Sequence, residues 1–419
     1  MSVGFKNSWP LFLGMLMLMI GNGLQGTLLG VRGGIEGFSP YMMSFVMAGF
    51  YIGILGGSKL APLMINRVGH VRVFAALASL ISACFILFPV FPSEYVWFVL
   101  RVVVGFCFSG VYVVSESWLN DVSTNENRGK ILSFYLVIQT LGLVLAQILL
   151  NFADPSGYSL FIIASVVLSL SFTPILLSVA PAPPFETTKP MGLIDLYNTS
   201  PLGVVGLLLL GGVFGAIFGM TAIFGTESGM TVSQISIFVA VIYFGGMLFQ
   251  MPIGWFSDRM DRRYLIIILS SIAAFFSIII FIINYNFFIY LMFSFIIGGV
   301  ANPLYSLFIA YTNDFLEHED MAAAAGGLVF INGLGAIIGP IIVGILMSKF
   351  GPDSFFAYLG VMLFLTSLYA LYRTTQRDAP SVEETSSYTP ITSSSSPVAV
   401  EVAQEIAIEV ALGDLDKEI

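Results

Sequence analysis

Long apolar runs separated by short polar breaks organise this chain from end to end. They fall near 9–29, 41–62, 71–91, 94–118, 131–150, 158–179, 201–224, 233–254, 264–284, 287–311, 322–346 and 353–373. Each is roughly 20 residues, enough to cross about 30 Å of hydrocarbon as a helix. Their apolar character is continuous, whereas a membrane barrel strand alternates over about ten residues. A helix also satisfies its own backbone hydrogen bonds, which a lipid interior demands. The pattern predicts an all-α membrane protein with twelve transmembrane helices.

Those twelve divide into two sets of six. Residues 48–73 (AGFYIGILGGSKLAPLMINRVGHVRV) align without gaps on 240–265 (AVIYFGGMLFQMPIGWFSDRMDRRYL). Ala48/Ala240, Tyr51/Tyr243, Gly53/Gly245 and Arg67/Arg259 pair at a shift of 192. Tyr112/Tyr305, Asn120/Asn313, Asp121/Asp314, Glu126/Glu319 and Leu141/Leu334 pair at a shift of 193. Similar halves in a membrane protein commonly rock about a central site, so the repeat puts transport ahead of other functions. The expected organisation is a pair of pseudo-symmetric six-helix bundles at 1–179 and 201–377, a cytoplasmic linker at 180–200 and an acidic, disordered cytoplasmic tail at 378–419.

Composition narrows the solvent. Charged residues are 10% and apolar residues 57%, with a mean hydropathy of +0.93. A soluble chain carries about 25% charge, so this one cannot cover a water-facing surface. The net charge of −9 belongs to the tail, where nine acids and one lysine follow residue 377. Within it, 382–397 has the Ser/Thr/Pro bias of a disordered linker. Glu401, Glu405 and Glu409 then repeat every four residues, which suits either a solvated tail or an acidic helix that docks on a protein partner. With the N-terminus inside, the inner loops hold Lys6, Lys59, Arg67, Arg72, Arg128, Lys130, Lys189, Arg259, Arg262, Arg263, Arg373 and Arg377, and the outer loops only Arg32 and Lys349. That asymmetry predicts cytoplasmic termini. The first run lacks a small-residue cleavage signal and reads as a retained helix.

Several chemistries are absent from the pattern. Cys84 and Cys107 lie inside apolar runs, and His70 and His318 are far apart in inner loops. No spacing suggests a metal site, no GxxxxGK[ST] loop suggests an ATP motor, and no nucleophile–base pair suggests an enzyme. The expectation is therefore no cofactor, no metal and no nucleic acid. The partners expected are a small-molecule substrate, the lipid bilayer, protons if transport is coupled, and a protein if the tail docks on one.

The inner loops carry a family resemblance. GWFSDRMDRR (Gly254–Arg263) resembles the G-x-L-x-D-R-x-G-R-R loop of the major facilitator superfamily, with Phe256 and Asp261 in place of Leu and Gly. The first copy is weaker: Pro62 and Asn66 replace the Gly and Asp, while Arg67, Gly69 and Arg72 fit. Arg101, Gly105 and Gly110 in the fourth span resemble the family's Arg/Gly motif, and LGAIIGPIIVG (Leu334–Gly344) its Gly-Pro pattern. LGLVLAQ in the fifth span lacks the Gly-Pro dipeptide associated with antiporters. Residues 101–147 look most like the bacterial YcaD-like branch. The resemblance covers about 1–375 and implies the major facilitator fold, alternating access and a bacterial inner-membrane location.

For the loops it implies a gate, with Asn66, Arg67, Arg72, Asp121, Arg128, Asp258, Arg259, Arg262 and Arg263 as candidates. Asn66 lacks a formal charge, so the stronger latch is expected around Asp258. The alternative is that these arginines only set topology.

Charged groups inside the bilayer are costly and mark function by default. At 100° per residue, Arg101, Gly105, Ser109, Tyr112 and Glu116 share an arc of roughly 80°, which must face the interior. Arg101 and Glu116 stand about 22 Å apart along the axis and do not pair. Arg101 can hold an anionic group, handle protons or bond carbonyls. Glu116 can pair with Arg67, Arg72 or Arg128, or carry a proton. Asn22, Gln25, Gln139, Thr221, Tyr243, Gln250, Asn302, Tyr305 and Asn332, with Arg101 and Tyr112, are the candidate substrate contacts. In the family, spans 1, 4, 7 and 10 chiefly line the cavity. For any one of these residues, helix–helix bonding is an equal alternative. Together they describe a modestly polar, aromatic-lined cavity suited to a small neutral, zwitterionic or amphiphilic solute. The reading is a secondary active transporter. An uncoupled facilitator, and a membrane sensor or scaffold acting through the acidic tail, remain alternatives.

Overall fold

The computed structural model describes residues 3–124, 127–177, 191–283, 286–378, 380 and 385–415, with side chains outside 3–7, 318–319 and 410–415. Glu126, the Pro-rich stretch 180–190 with Lys189, and the side chains of Lys6, His318 and Glu319 lie outside the described residues. Among the described residues, twelve helices are long and apolar enough to cross a membrane. The first six spans are α1 (Val3–Ile35), α2 (Pro40–Val68), α3 (His70–Val90), α4 (Glu94–Asp121), α5 (Arg128–Leu149) and the pair α6 (Ser159–Ser171) and α7 (Thr173–Leu176). After the short α8 (Leu193–Thr199) come α9 (Pro201–Glu227), α10 (Val232–Ser257), α11 (Arg262–Ile282), α12 (Phe287–Asn313), α13 (His318–Phe350) and α14 (Ser354–Thr374). The sixth run is broken where Pro174, which has no N–H to donate, sits in the first turn of α7.

The duplication is written into the turns. Between α1 and α2, Gly37 has φ +76°, and between α9 and α10 Gly229 has φ +72°, a left-handed conformation that glycine adopts without strain. Each closes its helix with the same pair of bonds: Gly37 N–H and Phe38 N–H to Gly34 and Gly33, Gly229 N–H and Met230 N–H to Thr226 and Gly225. Each is followed two residues on by an N-cap hydroxyl, Ser39 for α2 and Thr231 for α10. The two turns stand 192 residues apart, the shift of the repeat.

Packing repeats as well. α2 packs on α4 as α10 packs on α12, α1 on α5 as α9 on α13, and α3 on α6 as α11 on α14. Glycines set the closest approaches. A Cβ on Gly105 would lie 1.9 Å from the Phe50 carbonyl, and one on Gly53 2.0 Å from the Val102 carbonyl. The equivalents in the second half are Gly245 against the Phe295 carbonyl and Gly298 against the Ile242 carbonyl. Small residues that let backbones touch are the usual means of packing helices in lipid, where the hydrophobic effect does not drive association.

The halves meet through α1 with α9, α2 with α13, and α5 with α10. With an even number of spans, both termini lie at one face, here called the terminal face, and the opposite end is the far face. The inter-half contacts gather toward the far face. Gly30 lies against Ala222, Gly34 against Thr226 and Gly344 against Ser44. Asn151 Nδ2 donates to Ser236 Oγ at 2.9 Å, and Ser236 donates to the Gln147 carbonyl.

Within the expected tail, the described residues 385–415 lie against the spans, although their composition reads as disordered. Residues 385–396 run without regular structure between the halves at the terminal face, and α15 (Pro397–Leu415) packs on α13, α4 and α5. Ala399, Val400, Val402, Ala403 and Ala407 are buried and give α15 an apolar face. The Ser/Thr/Pro bias of the preceding stretch conceals that face. Hydroxyl-rich sequence stays soluble when nothing binds it, but it also satisfies a polar groove when one is present.

Candidate functional site

Between the halves lies a cavity of about 450 Å³. α1 supplies Asn22 and Gln25, α2 Phe50 and Tyr51, α4 Arg101, α5 Gln139 and Thr140, α9 Phe214, Phe218 and Thr221, α10 Tyr243 and Gln250, α12 Asn302 and α13 Asn332. Pro390–Ser395 of the tail closes it toward the terminal face. Nine of the eleven expected substrate contacts line it: Asn22, Gln25, Arg101, Gln139, Thr221, Tyr243, Gln250, Asn302 and Asn332.

Tyr112 and Tyr305 do not. Both are fully buried behind the wall. The Tyr112 hydroxyl accepts from Asn22 Nδ2 at 3.0 Å, and Asn22 Oδ1 accepts from Gln25 Nε2 at 3.0 Å. Tyr112 therefore positions the cavity amides. The sequence leads one to expect an aromatic lining that includes Tyr243, but it does not name the phenylalanines that supply the rest. Phe214 stacks on Phe218 at 5.6 Å and 3°, and Phe218 on Tyr243 at 5.5 Å and 12°. Tyr51 was identifiable from its repeat partner Tyr243. The phenylalanines were not, because Phe is abundant on lipid-facing positions too.

The fourth-span stripe faces inward. Arg101, Gly105, Ser109, Tyr112 and Glu116 are all buried. Arg101 is 3% exposed, with its guanidinium 4.6 Å from the centre of the Phe50 ring and no hydrogen-bond partner at Nε. It is the only charged side chain among the described residues that line the cavity. Gln25 Oε1, Gln139 Nε2 and Asn332 Oδ1 also have no hydrogen-bond partner among the described residues. Leaving such a group unmet costs about 1–3 kcal/mol.

Glu116 lies outside this cavity, toward the terminal face. Its carboxylate accepts from the Tyr135 hydroxyl at 3.3 Å and from the Ser396 amide at 3.0 Å. The expected pairing with Arg67, Arg72 or Arg128 is not made here. Arg128 instead pairs with Glu405 at 2.7 Å and Glu409 at 3.3 Å, because the tail brings two carboxylates closer than α4 does.

The expected gate residues divide. Asn66, Arg67, Arg72 and Asp121 are exposed and make no ion pair among the described residues. Arg262 is buried, pairs with Asp314 and lies 3.6 Å from Asp258. Arg263 pairs with Asp261 at 2.7 Å and donates to the Arg377 carbonyl. Arg259 lies 4.3 Å from the centre of the Trp255 ring. Burial pushes the Asp314 carboxyl above its usual range, while Arg262 and the Ser386 amide and hydroxyl pull it back. The loop arginines thus bind their own half and the tail. Among the described residues Asp258 makes no ion pair with the first half, and it accepts the Tyr388 amide at 2.8 Å.

The Major Facilitator Superfamily model matches residues 11–231 and 202–408. The uncharacterized MFS-type transporter YcaD of Escherichia coli is 25% identical over 377 residues, covering 85% of this chain and 93% of its own. Two solved structures share the fold at low identity. The nucleoside transporter NupG superposes with a TM-score of 0.69 at 13% identity, covering 91% of this chain and 100% of its own. A bacterial homologue of the human lysosomal transporter Spinster, inward-facing and unoccupied, gives 0.65 at 14%, covering 97% and 98%. Two matching six-span halves around a shared cavity, and a family match spanning nearly the whole chain, lead to one conclusion: this multi-pass membrane protein belongs to the Major Facilitator Superfamily and is a transporter similar to YcaD.

Proposed function

We propose that this transporter carries a small organic anion or zwitterion by alternating access, with Arg101 holding the anionic group. The observation that carries the reading is the single buried guanidinium in an otherwise uncharged cavity. A buried charge without a counter-charge costs several kcal/mol, and an anion bound against its planar fork removes that cost. The Phe214–Phe218–Tyr243 stack offers a flat surface for an apolar or aromatic body. A polyanion would leave negative charge unmatched. This narrows the range of solutes that composition allows.

In this reading the terminal face is cytoplasmic, as the Lys/Arg asymmetry favours, and the membrane is a bacterial inner membrane. The halves pivot so that the far-face contacts part as the terminal face closes. Glu116 is the proton carrier, with Arg101 as a second candidate in coupling, and Asp258, Arg259, Arg262 and Arg263 latch the closed terminal face. The scaffold alternative is weaker because α15 is seated on the spans, not held out for a partner.

The test is a thermal-shift screen of organic anions, zwitterions and neutral solutes on purified protein, followed by counterflow in proteoliposomes. Carboxylates or sulfonates should stabilise the parent, and Arg101→Gln should weaken the best of them at least tenfold. A ligand bound equally by parent and Arg101→Gln would remove the anion assignment.

A further inference from the structure

The tail does more than cover the cavity. It ties the halves together at the face where they must close. On the second half, the Ser386 amide and hydroxyl donate to Asp314 at 3.0 and 2.9 Å, and Arg262 donates to the Ser386 carbonyl. The Tyr388 amide donates to Asp258, and its ring fills the space a side chain on Gly254 would occupy. Ile391 exchanges two bonds with Ser306, its amide donating at 3.0 Å and its carbonyl accepting at 2.9 Å. The strand then crosses to the first half. Thr392 meets Gln139 at 3.4 Å, the Ser396 amide donates to Glu116, and Arg128 grips Glu405 and Glu409. Gln404 returns to Asn313 at 2.8 Å.

We infer that residues 385–409 are a tethered plug whose docking site is the terminal-face mouth, and that the docked plug arrests the transport cycle. Two physical arguments support it. Backbone amides of Ser386, Tyr388 and Ser396 donate to three acids, Asp314, Asp258 and Glu116, and Glu116, which has no cationic partner among the described residues, loses that bond when the plug leaves. Ile391, Val400 and Ala403 are buried between spans, so the wedge must leave before the spans approach. Because the plug is part of the chain, its effective concentration is in the millimolar range, and weak contacts suffice to keep it seated. Binding of a competing cationic partner to the acidic tail would then act as a switch. The arrest rests on the alternating-access reading, and the docking does not.

The test measures access without needing the substrate. Met247 lines the cavity, and Met247→Cys reports its reactivity toward a membrane-impermeant maleimide added at the terminal face. Cys84 and Cys107 are buried, so their background is low. Reaction should be slow in the full chain and at least tenfold faster after deletion of 385–419. Arg128→Glu in the full chain should also speed it, and Glu405→Arg with Glu409→Arg should restore protection. This swap keeps the test decisive if the truncated chain misfolds. Equal rates in parent, Arg128→Glu and the swap would overturn the plug. A second reporter, Ala222→Cys at the far-face seal, is read from the opposite side. If deletion exposes position 247 while 222 stays silent, the plug stands and alternating access fails.

Discussion

Arg101 carries the largest electrostatic cost in the cavity. Its spacing to Gly105 drew attention to it, and its burial without an acid partner gives it a role. Replacing an unpaired buried charge with an apolar chain of similar length is often stabilising. Arg101→Met should therefore raise the stability of the ligand-free protein by about 1–4 kcal/mol, read by thermal unfolding in detergent, while losing response to every stabilising anion. A less stable Met variant would mean that the guanidinium is already satisfied. Glu116 invites a different experiment. Glu116→Gln keeps the Tyr135 and Ser396 contacts possible but cannot ionise. Uptake driven by a pH gradient should disappear and counterflow should persist. Full gradient-driven uptake in that variant would dismiss Glu116 as the carrier.

Helices in this protein approach through glycine, and the tolerance of each position is set by what lies opposite. Gly105 faces the Phe50 carbonyl so closely that a methyl group has no room, and backbone cannot rotate away as a side chain can. Overpacking of this kind costs about 1–3 kcal/mol. Gly105→Ala should reach the upper end of that range and separate α4 from α2. Gly56 is the control on the same helix pair. Its nearest neighbour would be a ring atom of Phe106 at 3.7 Å, so Gly56→Ala should be neutral or gain up to about 1 kcal/mol in helix propensity. Melting curves of the two variants in one detergent compare them directly. Equal losses would show that the α2–α4 approach is looser than the backbone contacts indicate.

At the scale of the whole molecule, one face is sealed by the chain halves and the other by the tail. Asn151 and Ser236 join α5 to α10 at the far face. Joining Asn151→Cys to Ser236→Cys with a short bifunctional thiol reagent should stop counterflow if the halves must part there. The Ser82–Ser165 contact, inside the first half between α3 and α6, is the comparison. The same reagent on Ser82→Cys with Ser165→Cys should leave flux intact. Loss of flux in both, or in neither, would argue against rigid halves moving about the cavity.

Twelve spans, their pairing into repeats and nine of the cavity residues are legible in the chain alone. Each of these follows from a local or periodic rule. A continuous apolar run of this length satisfies its backbone in lipid as a helix, duplication preserves spacing, and a polar group in such a helix must turn inward. Tertiary structure decided what depends on several elements at once. It set Tyr112 and Tyr305 behind the wall because the helix phase alone does not measure depth. It chose which phenylalanines face the cavity, since lipid and cavity accept the same ring. It drew Arg128 away from Glu116, since an ion pair goes to whichever acid the fold brings nearest. It also placed residues 385–415 against the spans, although their composition reads as disordered, because hydroxyls, amides and a short apolar face acquire a fixed place only once a polar groove of matching shape exists to receive them.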